Sequence, residues 1–362
     1  MARFIAFYLP QYHPTPENDE WWGKGFTEWV NVAKARPLFR GHKQPHIPEE
    51  LGFYDLRLEE TRIRQAELAK EAGIEAFCYW HYWFGNGKRL LERPFNEVLD
   101  SGKPEFPFCL AWANHSWYKK LWDPKAPGKD KLLIEQAYPG IEDYVLHFNT
   151  MLPAFKDPRY LKVNGKLFFV IYDPMNFADC HLFIETWQKL AKENGLNGFY
   201  FVGTDSDCRN KDAILAKGLD ATYNDDTKNI HHHLSLLNKV RLLIQRKLFH
   251  LPTVFKYKDA CKYMIIDGCK DNNVIPTIAP NWDHSPRSLH NALILTESTP
   301  SLFKSLAEKA IEIVKNKPKE EQIIMIKSWN EWGEGNYMEP DTEFGRGYID
   351  ALREAISNIS NS

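Results

Sequence analysis

The chain has 362 residues, of which 43% are hydrophobic and 26% are charged. This is the ordinary composition of a folded globular protein, and it excludes a disordered, collagen-like or coiled-coil chain. The 46 basic and 48 acidic side chains give a formal net charge of −2. No basic excess is available to neutralise a phosphate backbone, so we expect no nucleic-acid partner.

Eight short apolar runs of β-strand type recur along the chain. They are Phe4–Leu9, Ile74–Trp80, Phe106–Trp112, Leu167–Tyr172, Phe199–Gly203, Asp220–Tyr223, Val274–Ile278 and Gln322–Lys327. Most are continuous rather than alternating, which is typical of parallel strands that are covered on both faces.

Amphipathic segments that predict helices lie between most of these runs. They are Leu58–Ala72, Arg89–Ser101, Glu142–Phe155, Cys180–Asn194, Asp212–Lys217, Ser301–Lys315 and Gly347–Ile359. The alternation predicts an α/β fold, and we expect a single (β/α)8 TIM barrel that takes in residues 1–362 as one domain.

Two longer connections predict insertions into the barrel. Asn114–Pro139 follows the third strand, and Asp225–Cys269 follows the sixth. The second insertion contains the helical stretch Leu236–His250, whose basic part, Lys239–Lys247, also carries leucines. Such a stretch is either a solvated helix face or a surface that touches anionic lipid or glycan, so peripheral membrane contact stays open.

The six cysteines form no C-x-x-C pair, and Cys78 and Cys109 lie in apolar runs where buried thiols are expected. This usage is typical of a reducing compartment. The first residues do not resemble a signal peptide, and no apolar run reaches the length of a membrane span. We therefore expect a cytoplasmic protein without a transmembrane segment.

Polar and aromatic side chains collect where the predicted strands end. In a TIM barrel the functional groups lie at these carboxyl-terminal ends. The candidate substrate-binding residues from this position are Tyr8, Glu28, Trp80, His81, Trp112, Asn114, Tyr172, Tyr223, Trp282, Trp329, Asn330 and Trp332. Aromatic faces suit the C–H faces of sugars, and amides, histidines and carboxylates suit their hydroxyls. The collection predicts a carbohydrate site; the alternative is a chance result of the 14% aromatic content.

Glu331 and Glu334 follow the eighth predicted strand and are the candidate catalytic residues. Glycoside cleavage usually needs two carboxyl groups, one of which is kept protonated. The flanking Trp329 and Trp332 would raise the pKa of a nearby carboxyl, and glycines at 333 and 335 allow a sharp turn. The alternative is a pair of solvated glutamates in a surface loop.

The segment 328–335, SWNEWGEG, followed by Glu339 and Pro340, resembles the catalytic motif of glycoside hydrolase family 99, the endo-alpha-mannosidases. The segment 7–14, FYLPQYHP, with WWG at 21–23 and FTEW at 26–29, resembles the WbsX-like group more closely. That group has a family-99-like domain and is commonly described as glycosyltransferases of lipopolysaccharide or capsule biosynthesis.

The family-99 resemblance implies a retaining reaction without metal or cofactor. One glutamate deprotonates the 2-hydroxyl of the sugar, which attacks the anomeric carbon, and the other is the acid/base. Carried onto this motif, Glu331 would assist the 2-hydroxyl and Glu334 would be the acid/base. The expected partner is an oligosaccharide or polysaccharide of the cell surface, or its precursor.

Two other classes of function stay open. Asp205-Ser206-Asp207 is similar to the metal-binding Asp-x-Asp of sugar-nucleotide-dependent glycosyltransferases, although Asp and Ser also cap helices. His231-His232-His233 is a weak metal candidate, because adjacent side chains diverge in direction. The third class is a non-catalytic glycan-binding protein, which would tolerate the loss of both glutamates.

Overall fold

A computed structural model of the chain describes residues 2–119, 131–205, 209–224, 230, 233–248 and 251–360. Nine parallel strands form a nearly closed barrel. They are β1 (Arg3–Tyr8), β2 (Ile74–Trp83), β3 (Phe108–Trp112), β4 (Lys166–Ile171), β5 (Phe199–Asp205), β6 (Ala221–Asn224), β7 (Val274–Ile275), β8 (Thr277–Ile278) and β9 (Ile323–Ile326). Their order is β7-β6-β5-β4-β3-β2-β1-β9-β8. The predicted α/β barrel is confirmed.

Strands β7 and β8 occupy one position of the barrel and are separated only by Pro276. Strand β7 pairs with β6, whereas β8 pairs with β9, so the two ends of the sheet meet at this proline. Proline has no N–H to donate to a ladder of hydrogen bonds, which explains why the predicted strand Val274–Ile278 is split.

Helices surround the barrel. They are α1 (Pro16–Trp22), α2 (Trp29–Lys34), α3 (Glu59–Ala72), α4 (Arg93–Ser101), α5 (Ile141–Lys156), α6 (Cys180–Glu193), α7 (Lys211–Leu215), α8 (Leu236–Leu248), α9 (Tyr257–Met264), α10 (Ser285–Ser288), α11 (Pro300–Val314) and α12 (Gly347–Ser360). Helix α3 ends at Gly73 with a left-handed φ of 87°, the predicted cap. Helix α4 begins later than the predicted Arg89, because Arg89–Leu90 instead pairs as a strand with β2.

Short strands outside the barrel belong to its loops. They are Arg89–Leu90, Trp117–Lys119, Lys131–Ile134, Lys162–Val163, Thr253–Lys256, Trp282–Asp283, Leu293–Thr296, Asn330–Glu331 and Asn336–Tyr337. The insertion after the third strand contains the pair Trp117–Lys119 and Lys131–Ile134. The insertion after the sixth contains α8, Thr253–Lys256 and α9.

The core contains both faces of the barrel strands, as their continuous apolar runs predict. Every residue of β5 is buried, and so is every residue of β4 after Lys166. Cys78 and Cys109 are buried thiols in register with one another on β2 and β3. Within the described ranges, we find no helix with the length and apolar character that a bilayer crossing requires.

Candidate active site

A cavity of about 630 Å³ opens at the carboxyl-terminal ends of the barrel strands. Of the residues predicted from the sequence, those that line it are Glu28, Trp80, Tyr172, Glu331 and Glu334. Lining residues that the sequence did not single out as site residues include Gln11, Tyr82, His115, Trp117, His284, Arg287 and Lys327. The structure therefore brings the two candidate catalytic glutamates into one cavity with aromatic and cationic side chains.

Three of the predicted binding residues point away from the cavity, into the layer of helices. The Tyr8 hydroxyl donates to Gln65 on α3 at 2.7 Å. His81 Nε2 lies 2.7 Å from His147 Nε2 on α5. The Trp112 indole donates to the backbone oxygen of Trp83 at 2.9 Å. None of the three lines the cavity, and their contact with substrate stays a prediction.

Asn114, Tyr223 and Trp282 are buried at strand ends without lining the cavity. Asn114 joins strand ends, because its oxygen accepts from the backbone N–H of Asp173 at 2.7 Å. Tyr223 lies against Phe7 inside the barrel, with ring centroids 5.3 Å apart. Trp282 lies beneath Lys327, whose Nζ is 4.7 Å from the ring centroid. These residues support the floor and wall of the site.

Trp329, Asn330 and Trp332 are fully buried behind the motif that carries the glutamates. The side chain of Asn330 accepts from the backbone N–H of Leu9 at 2.7 Å and donates to the Leu9 oxygen at 3.1 Å. The Trp332 ring stacks on Tyr337 at 3.7 Å between centroids. The Asn330 hydrogen bonds hold the motif against β1, and the Trp332–Tyr337 stack holds the two arms of the motif together.

The motif folds as a tight hairpin directly after β9. Asn330–Glu331 pairs antiparallel with Asn336–Tyr337, and a single helical turn at 332–334 connects them. A Cβ on Gly333 would lie 1.9 Å from Glu28 Oε1. One on Gly335, whose φ is 57°, would lie 2.7 Å from the Asp283 backbone nitrogen. Both glycines are therefore required by close approach, in agreement with the predicted sharp turn.

A buried carboxyl, Glu339, supports this hairpin from behind. It accepts hydrogen bonds from Trp332 Nε1 at 2.6 Å, from Tyr54 at 2.9 Å and from Gln65 Nε2 at 2.6 Å. Burial raises the pKa of Glu339 to about 7 in spite of these donors.

Arg287, on the short helix α10, joins three carboxylates of the cavity. Its Nε donates to Glu28 Oε1 at 2.8 Å, and its Nη1 donates to Glu334 Oε1 at 2.6 Å. The same Nη1 lies 4.0 Å from Glu331 Oε1. The two glutamate oxygens are therefore at most about 7 Å apart, which is close enough for both carboxyls to act on one glycosidic bond.

The environments of Glu331 and Glu334 push their pKa values in opposite directions. Burial and the neighbouring charge of Glu334 raise the pKa of Glu331 to about 7, although Ser328 donates to it at 2.7 Å. Burial alone would raise the pKa of Glu334 too, but Arg287 and His284 hold that pKa well below its usual range. One carboxyl of the pair is therefore ionised while the other keeps its proton toward neutral pH.

The sequence contains little that could have revealed Arg287. It lies beyond the predicted strand-seven segment, and its partner Glu28 is 259 residues away along the chain. Lys327 is the last residue of the predicted strand Gln322–Lys327, and nothing in the sequence around it indicates a site residue.

The weaker metal candidates find no support in the described residues. Asp205 accepts from the backbone N–H groups of Arg209 and Asn210 at 3.2 and 3.0 Å, just before α7 begins. Ser206, Asp207, His231 and His232 lie outside the described residues. Within the described part of the chain, no group of three or more His, Cys, Asp and Glu side chains is arranged to hold a metal ion.

The sequence model of the family described as "Glycosyltransferase WbsX" matches residues 4–352. The chain belongs to the WbsX family. The WxcX proteins of two Xanthomonas campestris pv. campestris strains, B100 and ATCC 33913, are 34% identical to this WbsX-family chain over 359 residues, which is 98% of the chain. The chain spans about half the length of these curated relatives, 50% in each case.

Solved structures show the same fold for the WbsX-family chain. The GH99 endo-alpha-mannosidase from Bacteroides thetaiotaomicron superposes with a TM-score of 0.60 at 15% identity, over 99% of this chain and 98% of the other. A structure described as a glycoside hydrolase-like protein gives a TM-score of 0.62 at 15% identity, over 98% and 93% of the two chains. At this identity the likeness shows the fold alone, and it agrees with the barrel described above.

Proposed function

We propose that this WbsX-family chain cleaves or transfers glycosidic bonds of a surface polysaccharide, such as O-antigen or capsule, or of its precursor. The observation that carries the proposal is the pair Glu331 and Glu334, which share one cavity whose charges and burial push their pKa values in opposite directions. Pairs of carboxyls whose pKa values are pushed apart are the usual acid and base of glycoside chemistry.

The distribution of charge favours Glu331 as the general acid and Glu334 as the base. Glu331 has a pKa of about 7 and can hold a proton for the leaving oxygen, whereas Glu334 rests as an anion beside Arg287. This division is the reverse of the roles that the family resemblance implies. A general acid works best when its pKa lies near the operating pH.

The proposed reaction has two steps that retain the anomeric configuration. Glu334 takes the proton of the 2-hydroxyl, whose oxygen attacks the anomeric carbon while the glycosidic bond breaks. The leaving oxygen takes the proton of Glu331. A hydroxyl group then opens the three-membered ring and returns a proton to Glu331, while the 2-oxygen regains its proton from Glu334. Water as the incoming group gives hydrolysis, and a sugar hydroxyl gives transfer.

The walls of the cavity support a sugar substrate. Trp80, Tyr172, Trp22 and Trp117 line it together with carboxylates and histidines. The volume of about 630 Å³ lies within the usual range of about 300 to 1,000 Å³ for ligand sites. Aromatic faces beside hydrogen-bonding groups match the two kinds of surface that a sugar ring presents.

The test uses oligosaccharides from the surface polysaccharide of the source organism, without any sugar nucleotide. Mass spectrometry of the chain lengths should show shorter or redistributed products with the wild-type protein and none with Glu331→Gln or Glu334→Gln. The exposed Glu185→Gln on α6 serves as a matched control and should behave as the wild type. Unchanged chain lengths with the wild-type protein would contradict the proposal.

The family description favours a second candidate, a glycosyltransferase that uses a sugar nucleotide. In that case the same mixture yields longer chains only after a sugar nucleotide is added, with release of the nucleotide. Retained glycan binding by both glutamine variants, with no product from any mixture, would instead indicate a binding protein.

A further inference from the structure

Helix α8 (Leu236–Leu248) turns an apolar stripe toward solvent. Leu236 is 78% exposed and Leu248 is 70% exposed, and between them Val240, Leu243 and Ile244 are 46%, 53% and 43% exposed. At 100° per residue these side chains lie on one side of the helix, because their spacing follows the helical repeat. A helix at the surface of a globular protein usually buries this face. The stripe is therefore an unpartnered apolar surface.

One apolar side chain lies on the side of α8 opposite the stripe. Leu242 lies about half a turn from the centre of the stripe and is half-buried. Among the α8 side chains that the structure describes, most apolar ones are thus exposed, which is unfavourable in water unless another surface covers the stripe.

The charges of α8 have one sign. Its sequence contains Lys239, Arg241, Arg246 and Lys247 and no Asp or Glu, although the whole chain has a formal net charge of −2. Lys239 is exposed. A strip of leucine, isoleucine and valine together with several cations is typical of helices that lie in the interface of an anionic bilayer.

A short connection joins α8 to a small three-stranded sheet that ends next to Arg287 in the chain. Four residues separate α8 from the strand Thr253–Lys256, which pairs with Leu293–Thr296. That strand pairs with Trp282–Asp283, which directly precedes the segment with His284 and Arg287. The connection from Leu248 to Thr253 can span at most about 18 Å when fully extended.

We propose that α8 is a membrane-contact helix that lies on an anionic lipid surface with its apolar stripe inserted. A second copy of the chain is a poorer occupant, because an isologous contact through this helix would bring two all-cationic helices together. An anionic bilayer offers the opposite charge and an apolar layer at the same time.

The test measures binding of the full chain to vesicles of phosphatidylcholine alone or mixed with phosphatidylglycerol, by co-sedimentation. We expect binding to the anionic vesicles that weakens as salt is added. The double variant Leu243→Ser, Ile244→Ser should lower the affinity by about tenfold or more, and Lys239→Glu by about fivefold.

Matched controls lie on another exposed helix face. Leu182→Ser and Lys189→Glu on α6 alter the same residue types at exposed positions and should leave vesicle binding unchanged. Circular dichroism checks that every variant is folded. The proposal is overturned if the wild type does not bind anionic vesicles, or if the α6 controls weaken binding as strongly as the α8 variants. It is also overturned if sedimentation shows a dimer that the α8 double variant dissociates. Because no sugar enters this assay, its outcome is independent of the proposed enzymatic activity.

Discussion

Arg287 Nη1 donates a hydrogen bond of 2.6 Å to Glu334 Oε1, and this ion pair sets the charge of the cavity. The guanidinium stabilises an ionised Glu334 next to Glu331, whose pKa is raised to about 7. Its Nε also holds Glu28 at 2.8 Å. Arg287, with His284, therefore favours the ionised form of Glu334, while burial and the charge of Glu334 keep the proton on Glu331.

Replacing Arg287 should raise the pKa of Glu334. In Arg287→Gln the acidic limb of the pH–activity profile should move to higher pH, because Glu334 loses the cation that lowers its pKa. We expect kcat/KM to fall by about 100-fold at neutral pH. Arg287→Lys keeps the positive charge but lacks the two-pronged guanidinium, and it should shift the acidic limb of the profile less. An acidic limb that stays in place in Arg287→Gln would show that Glu334 is not the ionised partner.

The basic limb of activity should report Glu331. If this carboxyl is the acid, kcat/KM falls as pH rises through about 7, because the proton that the leaving oxygen needs is lost. Substrates with a good leaving group need that proton less, so Glu331→Gln should retain activity on an activated aryl glycoside and Glu334→Gln should not. The opposite pattern would restore the roles that the family resemblance implies.

A methyl group at position 333 should disturb the ion-paired site. In Gly333→Ala the added Cβ meets Glu28 Oε1 at 1.9 Å, so the hairpin or the Glu28–Arg287 pair must shift. We expect a loss of about 1–3 kcal/mol in the free energy of unfolding. Thermal unfolding of the two single variants and of the double variant Glu28→Ala, Gly333→Ala tests whether Glu28 is the source of this loss. If the double variant is relieved of the clash, its loss in the free energy of unfolding is smaller than the sum of the two single losses. Additive losses would show that the contact with Glu28 is not the source.

Glu339 should make the stability of the fold depend on pH. Its pKa is about 7 in the folded protein against an ordinary value of 4.5, so the folded state binds this proton more tightly. The resulting stability is fully present below pH 4.5 and is lost as pH rises through about 7. In the wild type, the free energy of unfolding should decline by up to about 3 kcal/mol between pH 4.5 and about 7 because of this group. Denaturant titrations at several pH values should show that Glu339→Gln removes this decline. An unchanged decline in the variant would place the titration elsewhere.

Substrate affinity should depend on Trp80 more than on Tyr8. Trp80 lines the cavity, lies parallel to Phe7 at 4.7 Å between ring centroids and meets Tyr172 edge-on. Trp80→Ala should raise KM by about tenfold through the loss of a stacking surface. Tyr8→Phe removes only a hydroxyl that is bonded to Gln65, and it should leave KM unchanged. Equal effects of the two changes would contradict the assignment of Trp80 to the substrate wall.

The barrel and the glutamate pair could be predicted because both are local patterns. Continuous apolar runs mark parallel strands that are buried on both faces, and the eight runs recur in β2, β4, β5 and the other barrel strands. Glu331 and Glu334 are three residues apart and directly follow β9, so their place at the active end of the barrel needs no long-range information. The single domain over residues 1–362 stays a prediction.

Which strand-end residues face the cavity was decided only by the tertiary structure. Successive side chains of a strand point to opposite sides, so Trp80 faces the cavity while its neighbour His81 contacts His147 on α5. Because a continuous apolar run has no alternation of polar and apolar residues, the sequence does not show which of its residues face the cavity and which face the helices. The ion pair of Arg287 with Glu28 likewise forms only when segments 259 residues apart meet, because electrostatic contacts depend on distance in space and leave no pattern along the chain.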